Sequence, residues 1–183
     1  VLEGTPASAI TQSHLDKCLN CRACETTCPA NVDYHRLLDI GTQIVEEQVP
    51  RAFSQKVLRN AILTLLPYSS RFTPLLRTAQ SLRPILPKAI KAKIPKKEIA
   101  QQWPESTHQR RMLVLAGCVQ PGIAPDINAA TARVLSKLDI SLIEANEAGC
   151  CGAISYHLNK QQAGLDFMRR NIDAWWPYIE EGC

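Results

Sequence analysis

Cys18, Cys21, Cys24 and Cys28, with Pro29 directly after, spell C-x-x-C-x-x-C-x-x-x-C-P. This is the spacing by which a short loop wraps thiolates around a cubane [4Fe-4S] cluster, a one-electron carrier. Two intervening residues let a turning backbone aim successive sulfurs at different corners of one cube. The fourth sulfur, beyond a wider gap, points elsewhere, and in chains with two such runs it ligates the neighbouring cluster. Only one such run is present, so Cys18, Cys21 and Cys24 are one ligand short and Cys28 reads as a ligand to an adjacent cluster. A second motif on further sequence or on another subunit is therefore expected. Structural zinc draws on two separated cysteine pairs, and a disulfide framework belongs to a secreted context; neither fits this crowded run as well.

A second group follows later in the chain. Thirty-one residues separate Cys118 from Cys150, which stands in Gly149-Cys150-Cys151-Gly152. Adjacent cysteines diverge on an extended chain, and both reach one metal only if the backbone turns sharply, which flanking glycines permit. Cys118, Cys150 and Cys151 thus make a three-thiolate candidate, against the plainer reading of small buried hydrophobes in a turn. The eighth cysteine, Cys183, has no assigned role. Clustered thiols point to a reducing, cytoplasmic setting. No basic-then-apolar leader opens the 183 residues and no apolar run approaches the ~20 residues of a membrane span. An opening without Met and an ending on Cys183 lead us to expect a fragment of something longer.

No catalyst is visible. A G-x-G-x-x-G turn is lacking, so neither a nicotinamide nor a flavin site is expected on this chain. His14, His35, His108 and His157 are scattered and read as solvated or satisfied side chains, and Trp175 and Trp176 as packing residues. Around the first motif, Lys17 and Arg22 are cationic, and the N–H groups of Leu19, Asn20 and Ala23 are candidate donors to cluster sulfur.

The elements that must position these cysteines fall into three segments. Residues 1–49 read as helical around the cluster loop. Asn31 or Asp33 is placed to cap a helix whose apolar face is Leu37, Leu38, Gly41, Ile44 and Val45, and Pro50 ends it. Residues 50–107 hold seven of the twelve prolines, and the charge is segregated there. Net charge is −4 over residues 1–50, +11 over 51–111 and −3 over 112–183. Short amphipathic pieces run between the prolines, with Val57, Leu58, Ala61, Ile62, Leu65 and Leu66 on one face and Leu75, Leu76, Leu82, Ile85 and Leu86 further on. They read as a basic linker packing on its neighbours or resting peripherally on anionic lipid. With few aromatics to stack on bases, no nucleic-acid partner is expected. From residue 108 the pattern alternates. Met112–Ala116 reads as a buried strand ending at Gly117-Cys118, a helix begins near Pro125-Asp126 with Ile127, Ala130, Val134, Leu135 and Leu138 on one face, and Ile140–Ile143 makes a second strand. Residues 161–179 repeat Leu165, Met168, Ile172, Trp175 and Ile179 at helical spacing. This is a βαβ-like unit with Cys118 at a strand end, where such folds place ligands.

The strings CLNCRACETTCP, AGCVQPG, EAGCCG and NIDAWWPYIE together resemble the family of glycolate oxidase (glycolate dehydrogenase) iron-sulfur subunits, within the wider group of cysteine-rich "CCG" electron-transfer proteins. The likeness runs along essentially all of the chain. It implies an α+α/β architecture: a helical ferredoxin-like cluster module over 1–49, a basic linker over 50–107, and a truncated first CCG repeat over 108–183. It places Cys18, Cys21, Cys24 and Cys28 on the second of two [4Fe-4S] motifs, and Cys118, Cys150 and Cys151 on a repeat able to hold a further metal or cluster. It further implies an electron relay from FAD-containing subunits that oxidise glycolate to glyoxylate, toward a quinone-type acceptor at the inner face of the cell membrane. The alternatives share the CCG element: a heterodisulfide reductase-like protein, or a lactate-utilisation or glycerol-3-phosphate dehydrogenase subunit.

Overall fold

A computed structural model describes residues 4–105 and 107–183 of the chain. They form two compact units, Val1–Arg59 and Asn60–Cys183, with the chain passing from one to the other within helix α4 (Phe53–Leu65).

The first unit is helical. Helix α1 (Ala9–Asp16) starts from a capping box in which the Ser8 Oγ accepts from the Thr11 N–H and Thr11 Oγ1 accepts from the Ser8 N–H. A short α2 (Ala23–Thr27) follows, and α3 (Tyr34–Gln48) is the long element of the unit. Asp33 occupies the N-cap of α3 without a side-chain capping bond, and Pro50 leaves Val49 as the C-cap, as its preceding-residue restriction requires. Helix α1 packs on α3. Two polar links tie their ends: the buried Gln12 amide donates to the Val49 carbonyl at 3.1 Å, and the Ala7 N–H donates to Gln48 Oε1 at 3.0 Å. Arg51 provides a third. Its side chain is only 6% exposed and forks onto both Asp16 oxygens at 2.6 and 2.8 Å while its Nε reaches Glu46 at 2.6 Å. That geometry is the bidentate one guanidinium groups favour. It fixes the end of α1 two residues before Cys18.

The second unit joins helices α5 (Ser69–Leu82) and α6 (Lys88–Lys91) to a small α/β element: β1 (Arg110–Val114), α7 (Gln120–Ile123), α8 (Asp126–Ser136), β2 (Ile140–Glu144), α9 (Ala153–His157) and α10 (Gln161–Glu180). A short 3-10 turn, Arg83–Ile85, lies between α5 and α6. The strands pair in parallel, Arg110 opposite Ile140 through Val114 opposite Glu144, so the crossover through α8 makes the expected βαβ unit. The chain is thus mostly helical with one parallel pair, the coarse α+α/β class read from the pattern.

Three details depart from the expected faces. Pro74 lies inside α5, so the prolines do not all bound the amphipathic pieces. In α4 nothing is fully buried, and Val57 and Leu58 are exposed. In α8 the buried residues are Ala129 and Ala132, while Ile127 and Val134, and Leu138 just beyond its end, are exposed; in α10 they are Gly164, Asn171 and Ala174, while Leu165, Met168, Ile172 and Ile179 are exposed. Small side chains are chosen at these seams because they let a helix backbone come close to what it covers. Phe72 and Leu76 of α5 likewise close on Gly122 of α7, within 3.2–3.4 Å of where a Cβ would stand.

Candidate metal centres

The first cysteine group lies in the α1–α3 connection of the first unit. The Cys18 N–H bonds the Leu15 carbonyl as α1 ends, Cys21 sits between Asn20 and Arg22, Cys24 lies in α2, and Cys28 is the C-cap of α2. Asn20, Arg22 and Asn31 have φ of 53°, 60° and 51°. Asn tolerates the left-handed region; Arg22 does so at a cost. These reversals turn the backbone sharply on either side of the second cysteine and again after the fourth. Cys18, Cys21 and Cys24 are exposed and Cys28 is half-buried, all as free thiols.

Cys28 has the most developed surroundings. The N–H groups of Val32, Ala30 and Asn31 and the Tyr34 hydroxyl face its sulfur and hold its thiol below the ordinary range, with Val32 the largest contributor. Tyr34 is pushed up in turn, first by its bond to Cys28. Such donors stabilise a thiolate and are the means by which a protein tunes a sulfur-ligated metal. The donors seen here come from residues 30–32, after the motif.

Glu25, between the third and fourth cysteines, fastens the loop to α3. Its Oε1 accepts from the His35 N–H at 2.7 Å and lies 2.7 Å from His35 Nδ1; its Oε2 is 3.2 Å from Arg22 Nε. His35 also meets Asp33 and the Arg22 guanidinium. Among the described residues, Glu25, Asp33 and His35 are the set whose ligand atoms gather within single-ion reach, 4.8 Å. The contacts of His35 with Glu25 and Asp33 account for that gathering.

The second group is built at the carboxyl ends of β1 and β2. Gly117, at φ +79°, turns the chain after β1 and presents Cys118. An amide network steadies that end: Asn128 of α8 donates to Glu144 Oε1 at 2.8 Å and to the Leu115 carbonyl at 3.4 Å, while accepting from Gln120 at 2.7 Å. Beyond β2, Gly152 at φ +86° makes the sharp turn after Cys151 and lets α9 begin. A Cβ there would stand 2.3 Å from the Gly164 carbonyl oxygen of α10.

Burial pushes the Cys118 thiol up to about 11, helped by the Cys150 thiol hydrogen-bonded to it and by the nearby Cys151. The structure therefore brings Cys118, Cys150 and Cys151 together. Cys150 is 1% exposed, and its sulfur accepts from the Gly152 N–H at 3.5 Å; Cys151 is exposed. Three neighbouring thiols are a soft donor set, which fits iron-sulfur or zinc chemistry rather than hard cations. Cys183 lies elsewhere. It follows the end of α10, where Glu181 pairs with Arg111 near the start of β1, and the 17 residues from Gly164 to Glu181 carry it roughly 25 Å along the helix from the Gly152 contact.

Sequence reasoning missed Tyr34, Glu25, Asn128 and Asn171. Only Asn171 left a signal: a polar residue in register with Gly164 and Ala174 on the buried face of a helix.

With this geometry in place, the class of the second site follows: residues 112–181 match the family described as cysteine-rich domain, CCG. Over its whole length the chain is similar to the glycolate oxidase iron-sulfur subunit of Escherichia coli (strain K12), 52% identical over 184 residues and covering 45% of that protein. It is also similar to the probable glycolate oxidase iron-sulfur subunit of Bacillus subtilis (strain 168), 25% identical over 88% of the chain and 42% of that protein. The chain spans about half the length of the curated relatives it matches. No solved structure matches. The resemblance read from the cysteine motifs is thus supported along the entire chain.

Proposed function

We propose that this chain is the electron-relay portion of an iron-sulfur subunit in a glycolate-oxidising oxidoreductase. The observation that carries the reading is the convergence of three backbone N–H groups and the Tyr34 hydroxyl on Cys28, in a left-handed-turned loop that holds Cys18, Cys21 and Cys24 at the surface. The similarity to two glycolate oxidase iron-sulfur subunits supports the setting. Cys18, Cys21 and Cys24 hold one [4Fe-4S] group, Cys28 reaches an adjacent one, and Cys118, Cys150 and Cys151 hold a further metal or cluster. A [4Fe-4S] group supplies one-electron storage, which suits a partner flavin that divides the two-electron oxidation of glycolate to glyoxylate into single steps.

The chain's own residues do the rest. The donors on Cys28 favour its thiolate, Glu25 fixes the loop to α3 through His35, and Arg51 fixes its entry through Asp16. Exposed Cys18, Cys21 and Cys24 leave this edge open to a donor or acceptor, FAD-bearing subunits on one side and a quinone-type acceptor on the other. Residues 48–97 contain no Asp or Glu, and exposed Leu75, Leu82, Ile85 and Ile90 accompany Arg77, Lys88 and Lys93. Such a surface suits peripheral contact with anionic lipid at the cytoplasmic face. No helix of the described residues is long and apolar enough to cross a membrane.

Anaerobic iron, sulfide and zinc analysis of the full-length protein, with electron paramagnetic resonance after dithionite reduction, tests the reading. Iron with matching sulfide and reduced-cluster signals is expected. Zinc without iron or sulfide would overturn it.

A further inference from the structure

We propose that Asn171 is the positioning residue of the Cys118, Cys150 and Cys151 site, an inference that rests on the metal-site reading above and gives the site a support from outside the cysteine motif. Asn171 is 6% exposed on the inner face of α10. Both halves of its amide are engaged by the cysteine turn: Oδ1 accepts from the Gly149 N–H at 2.9 Å, and Nδ2 donates to the Cys150 carbonyl at 2.9 Å. One partner donates and the other accepts, so the orientation of the amide is fixed.

The two bonds bracket Cys150. They hold the Ala148–Gly149 peptide and the Cys150–Cys151 peptide, and so restrict the Gly149 and Cys150 dihedrals between them that aim the Cys150 sulfur at Cys118. The Gly152 N–H reaches that sulfur from the other side. Only a side chain of this length with both a donor and an acceptor closes the pair: Asp lacks the donor, Leu lacks both, and Gln is one methylene too long. The same helix presses on the turn at two further points. The Arg170 guanidinium stands 2.8 Å from where a Gly149 Cβ would be, and Gly164 seats Gly152. Helix α10 is therefore the template against which the cysteine turn takes its shape, and Asn171 is its polar contact.

The test is made in the full-length protein with Asn171→Leu and Asn171→Asp. Metal is removed with EDTA and ferricyanide, the cysteines are re-reduced and the reductant is removed, and iodoacetamide labelling of each cysteine is then followed by mass spectrometry, so the readout does not depend on bound metal. Losing both hydrogen bonds should raise the population of the opened turn about tenfold or more. Cys150 is expected to label at least tenfold faster in Asn171→Leu. It should also label faster in Asn171→Asp, which keeps the volume but sets a carboxylate against the Cys150 carbonyl. Exposed Cys21 and Cys24 should label at the wild-type rate. As a second readout, metal retained by a Cys18, Cys21, Cys24 triple-Ser background should fall in both variants. Wild-type labelling at Cys150 in either variant, with far-UV circular dichroism showing it folded, would overturn the proposal. Should Asn171→Leu fail to fold, the near-isosteric Asn171→Asp decides alone. If the wild-type site holds no metal, the metal reading fails while Cys150 labelling still decides the role of Asn171.

Discussion

Gly152→Ala should be the most damaging single-methyl change at the second cysteine group, and the structure separates its two costs. The first is conformational: at φ +86° an alanine sits in the left-handed region, which costs roughly 1–2 kcal/mol. The second is steric. The new Cβ would stand 2.3 Å from the Gly164 carbonyl oxygen and 3.1 Å from its carbon. That obstacle is helix backbone, which must withdraw by roughly 1 Å to restore ordinary contact, and overpacking of this kind costs about 1–3 kcal/mol. Together the change should cost about 2–5 kcal/mol. Three neighbours act as controls. Gly117→Ala, at φ +79° with nothing within 4 Å, should show the conformational cost alone, about 1–2 kcal/mol. Gly164→Ala meets Tyr156 at 2.9 Å but gains about 1 kcal/mol of helix propensity, so it should fall below Gly152→Ala. Gly149→Ala meets only the end of the Arg170 side chain, which swings aside, and should be within about 0.5 kcal/mol of wild type. Urea unfolding of the full-length variants, compared by midpoint at constant m, measures all four. A Gly152→Ala midpoint no lower than that of Gly117→Ala would refute the argument that α10 backbone backs the turn.

On the proposed relay reading, Cys21→Ser in the full-length protein should abolish glycolate-dependent electron delivery while glycolate still reduces a flavin partner; equal loss of flavin reduction would refute that reading. If Cys18, Cys21 and Cys24 hold a cluster as proposed, Arg22→Glu should lower its midpoint, because cationic neighbours favour the more negative reduced state. The shift should be on the order of tens of millivolts and shrink with added salt, since Arg22 is half-exposed and already paired with Glu25; an unchanged or raised midpoint would refute it. Asp126 is held below its ordinary 3.8, first by the Gln101 N–H and then by Arg133. A carboxyl with a depressed folded value contributes stability that is present above 3.8 and lost as pH falls through the folded value. Urea stability of wild type should therefore fall more steeply than that of Asp126→Asn below pH 4, and parallel slopes would show the link to be without effect.

The sequence carried the class of chemistry more completely than the packing. Cysteine spacing is a local property, so Cys18 to Cys28 and the Gly149–Gly152 turn could be read directly. The parallel pair was legible because Met112–Ala116 and Ile140–Ile143 are short apolar runs flanking a helical stretch, although β1 begins two residues earlier, at Arg110. The seams were not legible. Apolar periodicity identified α8 and α10 as helices with their large residues at helical spacing, but the buried positions are Ala129 and Ala132 in α8 and Gly164, Asn171 and Ala174 in α10. A moment calculated from hydrophobicity is blind to close approach, which selects for size. The supports of the sites were also invisible: Glu25 with His35, and Asn171 with Gly149, join residues ten and 22 apart, a pairing only the folded backbone supplies.

The two cysteine groups are held by opposite means, and this sets how each should respond to metal removal. In the first, the sulfurs of Cys18, Cys21 and Cys24 are exposed, Arg22 occupies a costly left-handed conformation, and the fastening ion pairs of Glu25 with Arg22 and His35 are partly solvated. Exposed pairs of that kind contribute about 0–1 kcal/mol each. On the proposed reading, a bound metal would supply much of the order of this loop. In the second, Cys150 is buried, the turn is seated on Gly164, and the Asn171 amide satisfies two backbone groups away from water. That shape belongs to the fold and does not wait for a ligand. On chelation, hydrogen exchange across residues 18–31 should accelerate by tenfold or more, about 1.4 kcal/mol of lost local stability, while residues 149–152 keep their protection. Equal deprotection of both segments would show that the second turn, too, is shaped by its metal rather than by α10.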